Sequence, residues 1–392
     1  MGRAGFRSGK SVDLRAELAR PIDSVIVKLA ARCNLVCDYC YWFRDPAVLD
    51  QPKRMTQDTI ELVGRSIGEH LKEHHPPEFT VVLHGGEPLL LGKASFWNLC
   101  KRLQEAAAGT SSRLRLALTS NGVLIDEDWA LIFAHFGIGV TLSIDGPPEV
   151  HDRHRVDLRG RPTYDRVIAG LTALRNIGLE PGVLSVLDPS VDSCELLDHM
   201  VRVLGLTEID FLIPDAIHGD LSISVAPILI GLFDHWWERY AAIGVRIRLF
   251  DAVISGLLGG SSGVESIGFG PVRAATISSS GMVEAHDVCR ITGMVHSGID
   301  LRKNALDSIR GDMAWRSILM SSLTLANECE RCEWRDVCGG GHIASRWSSL
   351  RGFDNPSVYC ADLKQFLSHV WARVRSDLVL KVGEAVNAGD TI

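Results

Sequence analysis

Residues 33–43 read "CNLVCDYCYWF": three cysteines in one short loop, spaced by three residues and then two, with aromatic residues crowding the last. Four thiolates would close a tetrahedral zinc site or complete the ligation of a cubane iron–sulfur cluster, whereas three leave one position open. Just upstream, "DSVIVKLA" (23–30) is a short β-branched run that reads as a strand emptying directly into the loop. Downstream, "TQDTIELVGRSIGEHLKEH" (56–74) has helical periodicity with Thr56 placed to cap it.

The same strand–helix beat continues outward. Strand-like runs recur at 79–86, 114–122, 139–146, 181–189 and 208–215, with helical stretches near 94–107, 126–136, 163–177, 194–204 and 225–242. Six such units imply a parallel sheet with right-handed crossovers. A closed barrel of this kind needs eight units, so the expected fold is α/β, a partial, open (β/α)6 TIM-like barrel. Several strands end in Gly, Asn, Ser or Asp, at the carboxyl edge where such sheets build sites.

After about residue 245 the rhythm changes. The stretch "SSGVESIGFGPVRAATISSSGMVEAHDV" is rich in Gly and Ser, with a hairpin expected near Ser280–Gly281. Residues 329–360 are loop-like and cysteine-rich, and 361–380 read as a closing amphipathic helix. The expected organisation is an N-terminal segment (1–21), a barrel (22–244) and a C-terminal cysteine-rich extension with its helix (245–392).

Composition narrows the class. Apolar content of 46% with 23% charged residues is that of a folded globular chain rather than a disordered one. The net charge of −7, with no long basic run, argues against nucleic acid as a partner. No signal-peptide core and no apolar run of membrane-spanning length is present, so no membrane role is expected and the expected location is cytoplasmic. Ten cysteines in a chain of 392 residues do not suggest a disulfide framework, because a chain this long can build a core without one. Their distribution is lopsided. Cys33, Cys37 and Cys40 cluster early, Cys329, Cys332, Cys338 and Cys360 late in the pattern C-x2-C-x5-C-x21-C, and Cys100, Cys194 and Cys289 are scattered between. Cys100 and Cys194 are expected in the core. The late set would suit zinc or iron equally by ligand type.

The C-x3-C-x2-C loop after a first strand, inside a six-unit partial barrel, resembles the radical S-adenosylmethionine (SAM) superfamily. That resemblance implies a [4Fe–4S] cluster held by Cys33, Cys37 and Cys40, with SAM chelating its open iron. One electron from the cluster then splits SAM to methionine and a 5′-deoxyadenosyl radical, which takes a hydrogen atom from substrate. "HGGEP" (84–88) ends the second strand where the family has its GGE motif. Gly85 and Gly86 would let backbone approach closely, and Glu87 would accept hydrogen bonds from the SAM ammonium. By the same likeness Ser143 and Arg155 would hold the SAM carboxylate, Arg155 through a charge-assisted fork, with Ser120, Asn121 and Asp145 as further contacts or turn caps. Tyr39 would sit beside the adenine. Trp42 and Phe43 either shield the cluster or anchor the loop.

The late cysteines resemble the SPASM extension of radical SAM peptide maturases, which carries auxiliary [4Fe–4S] clusters. The fuller pattern has seven cysteines for two clusters. Here one set is complete and the other is not, since His342 stands where a further cysteine would fall and 268–289 offers only Cys289. One auxiliary cluster is therefore expected, serving electron transfer, bracing the extension, or both. Cys289 and His342 are expected as a buried thiol and a hydrogen-bonded imidazole, with a remnant metal as the alternative.

Three stretches, "GFDNPSVYCADL" (352–363), "CGGGH" and "SIDGPPEVHDRHRVDLRGRPTYDRV" (143–167), are similar to cyclophane-forming maturases of ribosomally made peptides, the likeness covering about residues 22–365. It implies a precursor peptide as substrate, a crosslink from an aromatic carbon to the β-carbon of a residue two places further on, and an electron donor such as flavodoxin or ferredoxin. A general base is needed for the last proton, and Asp215, His218 and Asp251 are its candidates, each equally suited to turn or capping duty. A sulfatase-maturing formylglycine-generating enzyme is the alternative within the same chemistry, and a non-catalytic iron–sulfur scaffold or carrier the alternative outside it. The roughly 20 residues before the first strand are too few for an added leader-binding domain. The precursor is then expected to be held by barrel and extension, to be delivered by another protein, or to add a strand at an exposed sheet edge.

Overall fold

The computed structural model describes residues 13–294 and 298–388. Twelve short strands supply its sheets: β1 (Ser24–Lys28), β2 (Leu35–Cys37), β3 (Glu78–His84), β4 (Arg113–Ser120), β5 (Gly139–Ser143) and β6 (Arg155–Asp157), then β7 (Gly182–Val186), β8 (Glu208–Leu212), β9 (Arg246–Ile247), β10 (Ala275–Ile277), β11 (Met282–Glu284) and β12 (Ile299–Asp300). Ten of them form one sheet in the order β12-β11-β10-β1-β3-β4-β5-β7-β8-β9. Its middle is the expected six-strand parallel series, β1-β3-β4-β5-β7-β8, and among the described residues the two ends do not pair with each other. The expected α/β open barrel is the observed fold.

Local chemistry explains why these elements form. In the strands, apolar residues alternate so that one face is covered, as in β3, whose Phe79, Val81 and Leu83 are fully buried. Helix Gln57–His74 starts where the Thr56 hydroxyl accepts from the Thr59 amide at 3.2 Å. It ends at His75 in a left-handed conformation, φ 48°. Its Ile60, Val63, Ile67 and Leu71 are fully buried, each contributing roughly 1.5–3 kcal/mol relative to exposure.

The sheet does not stop at the barrel. β10, from the extension, pairs in parallel with β1 (Val25↔Ala275), and β11 returns antiparallel through the hairpin at Gly281, φ 83°. At the other end, β9 pairs with β8 immediately after the proposed boundary near residue 244. Barrel and extension thus share one sheet. The N-terminal segment is described from residue 13, with a short helix Leu14–Ala19, and residues 1–12 lie outside the described part.

The closing helix runs Cys360–Ala388. Asp362 in its first turn accepts from the Val225 and Ala226 amides at 2.9 and 3.0 Å, capping helix Ala226–Arg239 from outside. No described helix is long and apolar enough to cross a membrane.

Candidate active site

Backbone positions the cysteine loop. The Leu29 amide donates to the His84 carbonyl, and past β3 the Gly86 and Glu87 amides donate to the Ala30 and Arg32 carbonyls at 2.8 and 2.9 Å. A β-carbon on Gly85 would lie 2.7 Å from the Ala30 oxygen, and one on Gly86 2.4 Å from the Arg32 oxygen. The two glycines therefore let the end of β3 seat the chain that leads into Cys33. A second device went unrecognised in the sequence. β2 and β6 form a separate antiparallel ribbon in register Leu35↔Asp157, Val36↔Val156 and Cys37↔Arg155, setting Cys37 opposite Arg155. At three residues each, these strands are too short to show a period.

Glu87 is fully buried and already bonded. It accepts from the Leu89 amide (3.0 Å) and the Ser120 hydroxyl (2.9 Å) on Oε1, and from the Asn121 amide (3.0 Å) on Oε2. Burial pushes its carboxyl up to about 7, against those three bonds. The side chain joins β3 to β4. An ionised carboxylate has about four acceptor positions, which leaves one. Asn121 continues the chain of contacts, its Nδ2 donating to Asn34 Oδ1 at 2.8 Å, 3.7 Å from Cys33 Sγ.

Arg155 is likewise bonded within the chain. Its Nε and Nη2 form a fork, at 2.7 and 3.2 Å, on the carboxylate of Asp145, both groups being buried. Asp145 also accepts from the Tyr39 hydroxyl and the Val186 amide. Burial opposes ionisation of Asp145, but the Arg155 guanidinium outweighs it and holds the carboxyl below its usual range. The Tyr39 ring lies under Arg155, 5.3 Å from the guanidinium carbon. Tyr39, Asp145 and Arg155 are thus one bonded unit beside Cys37, with Asp145 and Arg155 buried and Tyr39 half-buried. Ser143, half-buried at the end of β5, stands two residues from it.

Of the base candidates, Asp215 lines a cavity of about 460 Å³ at the carboxyl edge together with Asp38, Tyr39, Arg44, Asp220 and Tyr359. His218 does not. Its ring lies 2.9 Å from the Pro356 carbonyl and its amide donates to Trp347, so it fastens the extension to the barrel. Asp251 is also corrected: it sits on helix Arg248–Leu257, paired with Arg246 at the amino end of the sheet, because β9 aligns with the start of β8. The Tyr359 hydroxyl donates to the Pro214 carbonyl, so the extension forms one wall of the chamber.

A buried charge network below the loop also went unread. Lys28, fully buried in β1, pairs with Asp287, contacts the Tyr41 hydroxyl at 3.1 Å and lies 4.3 Å from the Trp42 ring centre. His286 follows, 3.2 Å from Asp287 and 2.7 Å from Glu265. Burial disfavours the His286 cation, but Glu265 and Asp287 outweigh it and raise its pKa to about 10. A lysine inside an otherwise apolar strand was the available signal. Trp42, 1% exposed, is an anchor of the loop, and Phe43 is half-buried.

The late cysteines come together as expected by spacing. Cys329, Cys332, Cys338 and Cys360 line a common cavity of about 110 Å³. Gly339, Gly340 and Gly341 all have positive φ (62°, 83° and 77°), and a β-carbon on Gly339 would lie 2.1 Å from the Gly268 oxygen. "CGGGH" is a turn only glycine can make here. Cys289 and His342 take the places expected of a buried thiol and a paired imidazole. Cys289 is fully buried, and His342 Nδ1 faces Asp215 Oδ1 at 3.5 Å. Cys100 is in the core as expected, but Cys194 is exposed.

Both sets fit iron–sulfur cubes. Burial pushes Cys33 to about 12, with Glu87 adding to it, and Cys37 to about 11, so these are protonated thiols unless a metal takes the proton's place. Among the described residues, no three of the seven sulfurs lie within 4.8 Å of one another, whereas a single tetrahedral zinc with bonds of about 2.3 Å would hold them about 3.8 Å apart. Cys33, Cys37 and Cys40 would hold the first cube and leave one iron open.

Comparison with known proteins agrees. Residues 27–201 match the model of the radical SAM superfamily. The chain is 24% identical over 381 residues to the serine-type anaerobic sulfatase-maturating enzyme of Bacteroides thetaiotaomicron, covering 91% of each. It is 25% identical over 370 residues to the cysteine-type enzyme of Clostridium perfringens, covering 90% of this chain and 97% of that one. The solved structure of native anSMEcpe with bound AdoMet and Kp18Cys peptide superposes with a TM-score of 0.79 at 22% identity, over 90% of this chain and 98% of that one. The fold is therefore that of a radical SAM protein, and residues 27–201 are a radical SAM domain. Its cofactors are SAM and a [4Fe–4S] cluster.

Proposed function

We propose that the chain is a radical SAM peptide maturase that joins an aromatic side-chain carbon to the β-carbon of a residue two places further along a ribosomally made precursor, forming a three-residue cyclophane. The observation that carries this reading is the asymmetry of the extension. One four-cysteine set lines its own cavity, while Glu265, His286, Asp287 and Lys28 form a charge network in the region where the cysteines of a second cluster are wanting.

When bound, SAM and the three-cysteine cluster supply abstraction of one hydrogen atom from the substrate β-carbon. The chain's own residues do the rest. The β2–β6 ribbon and the Tyr39–Asp145–Arg155 unit fix the loop beside the chamber, and Tyr359 closes the far wall. The carbon radical adds to the aromatic ring. Rearomatisation then releases one proton, taken by the Asp215 carboxylate at the chamber wall, and one electron; Cys329, Cys332, Cys338 and Cys360 would hold an auxiliary cluster that would supply a one-electron acceptor for it. Substrate loses two hydrogens per ring, one to the deoxyadenosyl group and one as a proton.

A second reading, sulfatase maturation by oxidation of a Cys or Ser to formylglycine, draws on the two relatives that match over nearly their full length. Iron analysis of the anaerobically reconstituted protein separates them: about 8 Fe per chain supports one auxiliary cluster, about 12 Fe supports two. Mass spectrometry of candidate precursors completes the test. A loss of two hydrogens that resists aldehyde reagents, with fragmentation blocked across three residues, supports the cyclophane, and a hydroxylamine-reactive product overturns it.

A further inference from the structure

At the amino edge of the sheet, opposite the cysteine loop, three side chains converge without any role in the chemistry above. His70 and His74 lie one turn apart on helix Gln57–His74, and Asp307 comes from the turn Leu306–Gly311 of the extension. One ligand atom from each lies within 4.8 Å of the others. His70 Nδ1 is 3.9 Å from Asp307 Oδ1, and His74 Nε2 is 3.4 Å from Asp307 Oδ2. His70 Nδ1, His74 Nε2 and Asp307 Oδ1 are all buried and lack a hydrogen-bond partner. Three orphaned buried polar atoms in one cluster are costly unless something satisfies them together.

Two of the three are oriented from behind. The His70 Nε2 lies 2.9 Å from the Ile22 carbonyl; since a carbonyl can only accept, Nε2 carries the proton and Nδ1 presents a lone pair. Arg310 donates to Asp307 Oδ2 at 2.5 Å, leaving Oδ1 to face the imidazole. A lone pair and a carboxylate oxygen facing each other across 3.9 Å repel unless a cation lies between them. A ring nitrogen whose partner nitrogen donates to a carbonyl is the usual state of a metal-bound histidine.

We infer that His70, His74 and Asp307 bind one divalent first-row transition ion, zinc above all, as a structural clasp between the barrel and the extension. Two imidazoles and one carboxylate suit a borderline ion better than calcium or magnesium, which favour all-oxygen sets. The tetrahedral geometry of zinc places N and O ligands about 3.4 Å apart, a small contraction from the spacing here, with water as the fourth ligand. The side chains are 1%, 14% and 12% exposed, leaving no room for a substrate, so the ion's work is to hold helix Gln57–His74 against the turn at 306–311.

The test uses the cluster-reconstituted holoenzyme, cleared of loosely bound metal with EDTA and titrated anaerobically with zinc against a chromophoric chelator. Wild type should take up about one zinc per chain beyond its iron. His74→Gln should weaken this at least about 100-fold while iron content and 5′-deoxyadenosine formation stay unchanged. Zinc should also raise the melting temperature of wild type but not of the variant. Equal zinc binding by wild type and His74→Gln, or none by wild type, overturns the assignment. Hydrogen exchange on wild type alone gives an independent readout: zinc should slow exchange at 66–75 and 304–311 together, and no slowing there would also overturn it.

Discussion

The two cysteine sites of this chain are built on opposite plans. The early site takes three thiols from one loop and surrounds them with groups from five parts of the barrel: the ends of β3, β4 and β5, the β2–β6 ribbon, and Tyr39 within the loop itself. The late site takes four thiols and closes on itself through a turn of three positive-φ glycines, and its neighbours Glu328, Arg335, Ser357 and Lys364 all come from the extension. An open iron needs surrounding machinery, since whatever fills it must be held and aligned. A closed cube needs only its ligands and a dry cavity. The richness of hydrogen bonding around the three thiols therefore marks the chemical centre better than the cysteine counts do.

That contrast can be broken most severely at the open site. Cys37→Ala should abolish 5′-deoxyadenosine formation and remove about four iron atoms per chain, read by chromatography and iron analysis. If turnover survives, the assignment of the two plans is reversed. Next comes the chamber between the sites. Asp215→Asn should slow formation of crosslinked product about 10²–10⁴-fold while SAM cleavage continues, whereas Asp251→Asn, at the far end of the sheet, should leave both near wild type.

The buried fork comes third. Arg155→Ala strands the Asp145 carboxylate and should cost about 3–5 kcal/mol of stability, measured by chemical denaturation, with a weaker SAM affinity alongside. At the closed site, Cys338→Ala should remove about four irons and lower crosslinked product roughly tenfold, with 5′-deoxyadenosine formation largely kept. Equal loss of both products would mean that the late cluster serves the SAM step as well.

The smallest effect is one of pH. The folded pKa of His286, raised to about 10, lies above its unfolded value near 6.5, so the folded state binds the proton more tightly. Its contribution to stability is complete below about pH 6.5 and is lost as pH rises through about 10. The melting temperature should fall across that window, and less steeply in His286→Gln.

Much of this was legible one residue at a time. The beat of strands and helices, the open barrel, the three-and-four division of the thiols and the hairpin at Gly281 follow from periodicity, spacing and turn chemistry, which are encoded within a few neighbouring residues. What a polar side chain touches is not encoded there. Arg155 could have gripped a ligand as easily as Asp145. Only the register of β2 against β6 and the end of β5 place the carboxylate in its fork. The same holds for β10, three residues whose partner lies some 250 positions away, and for Asp307, which meets His70 and His74 only because the extension folds back along β1. Local sequence sets conformational preference; contacts made across hundreds of residues exist only after the chain has closed on itself, and this protein's site is composed of such contacts.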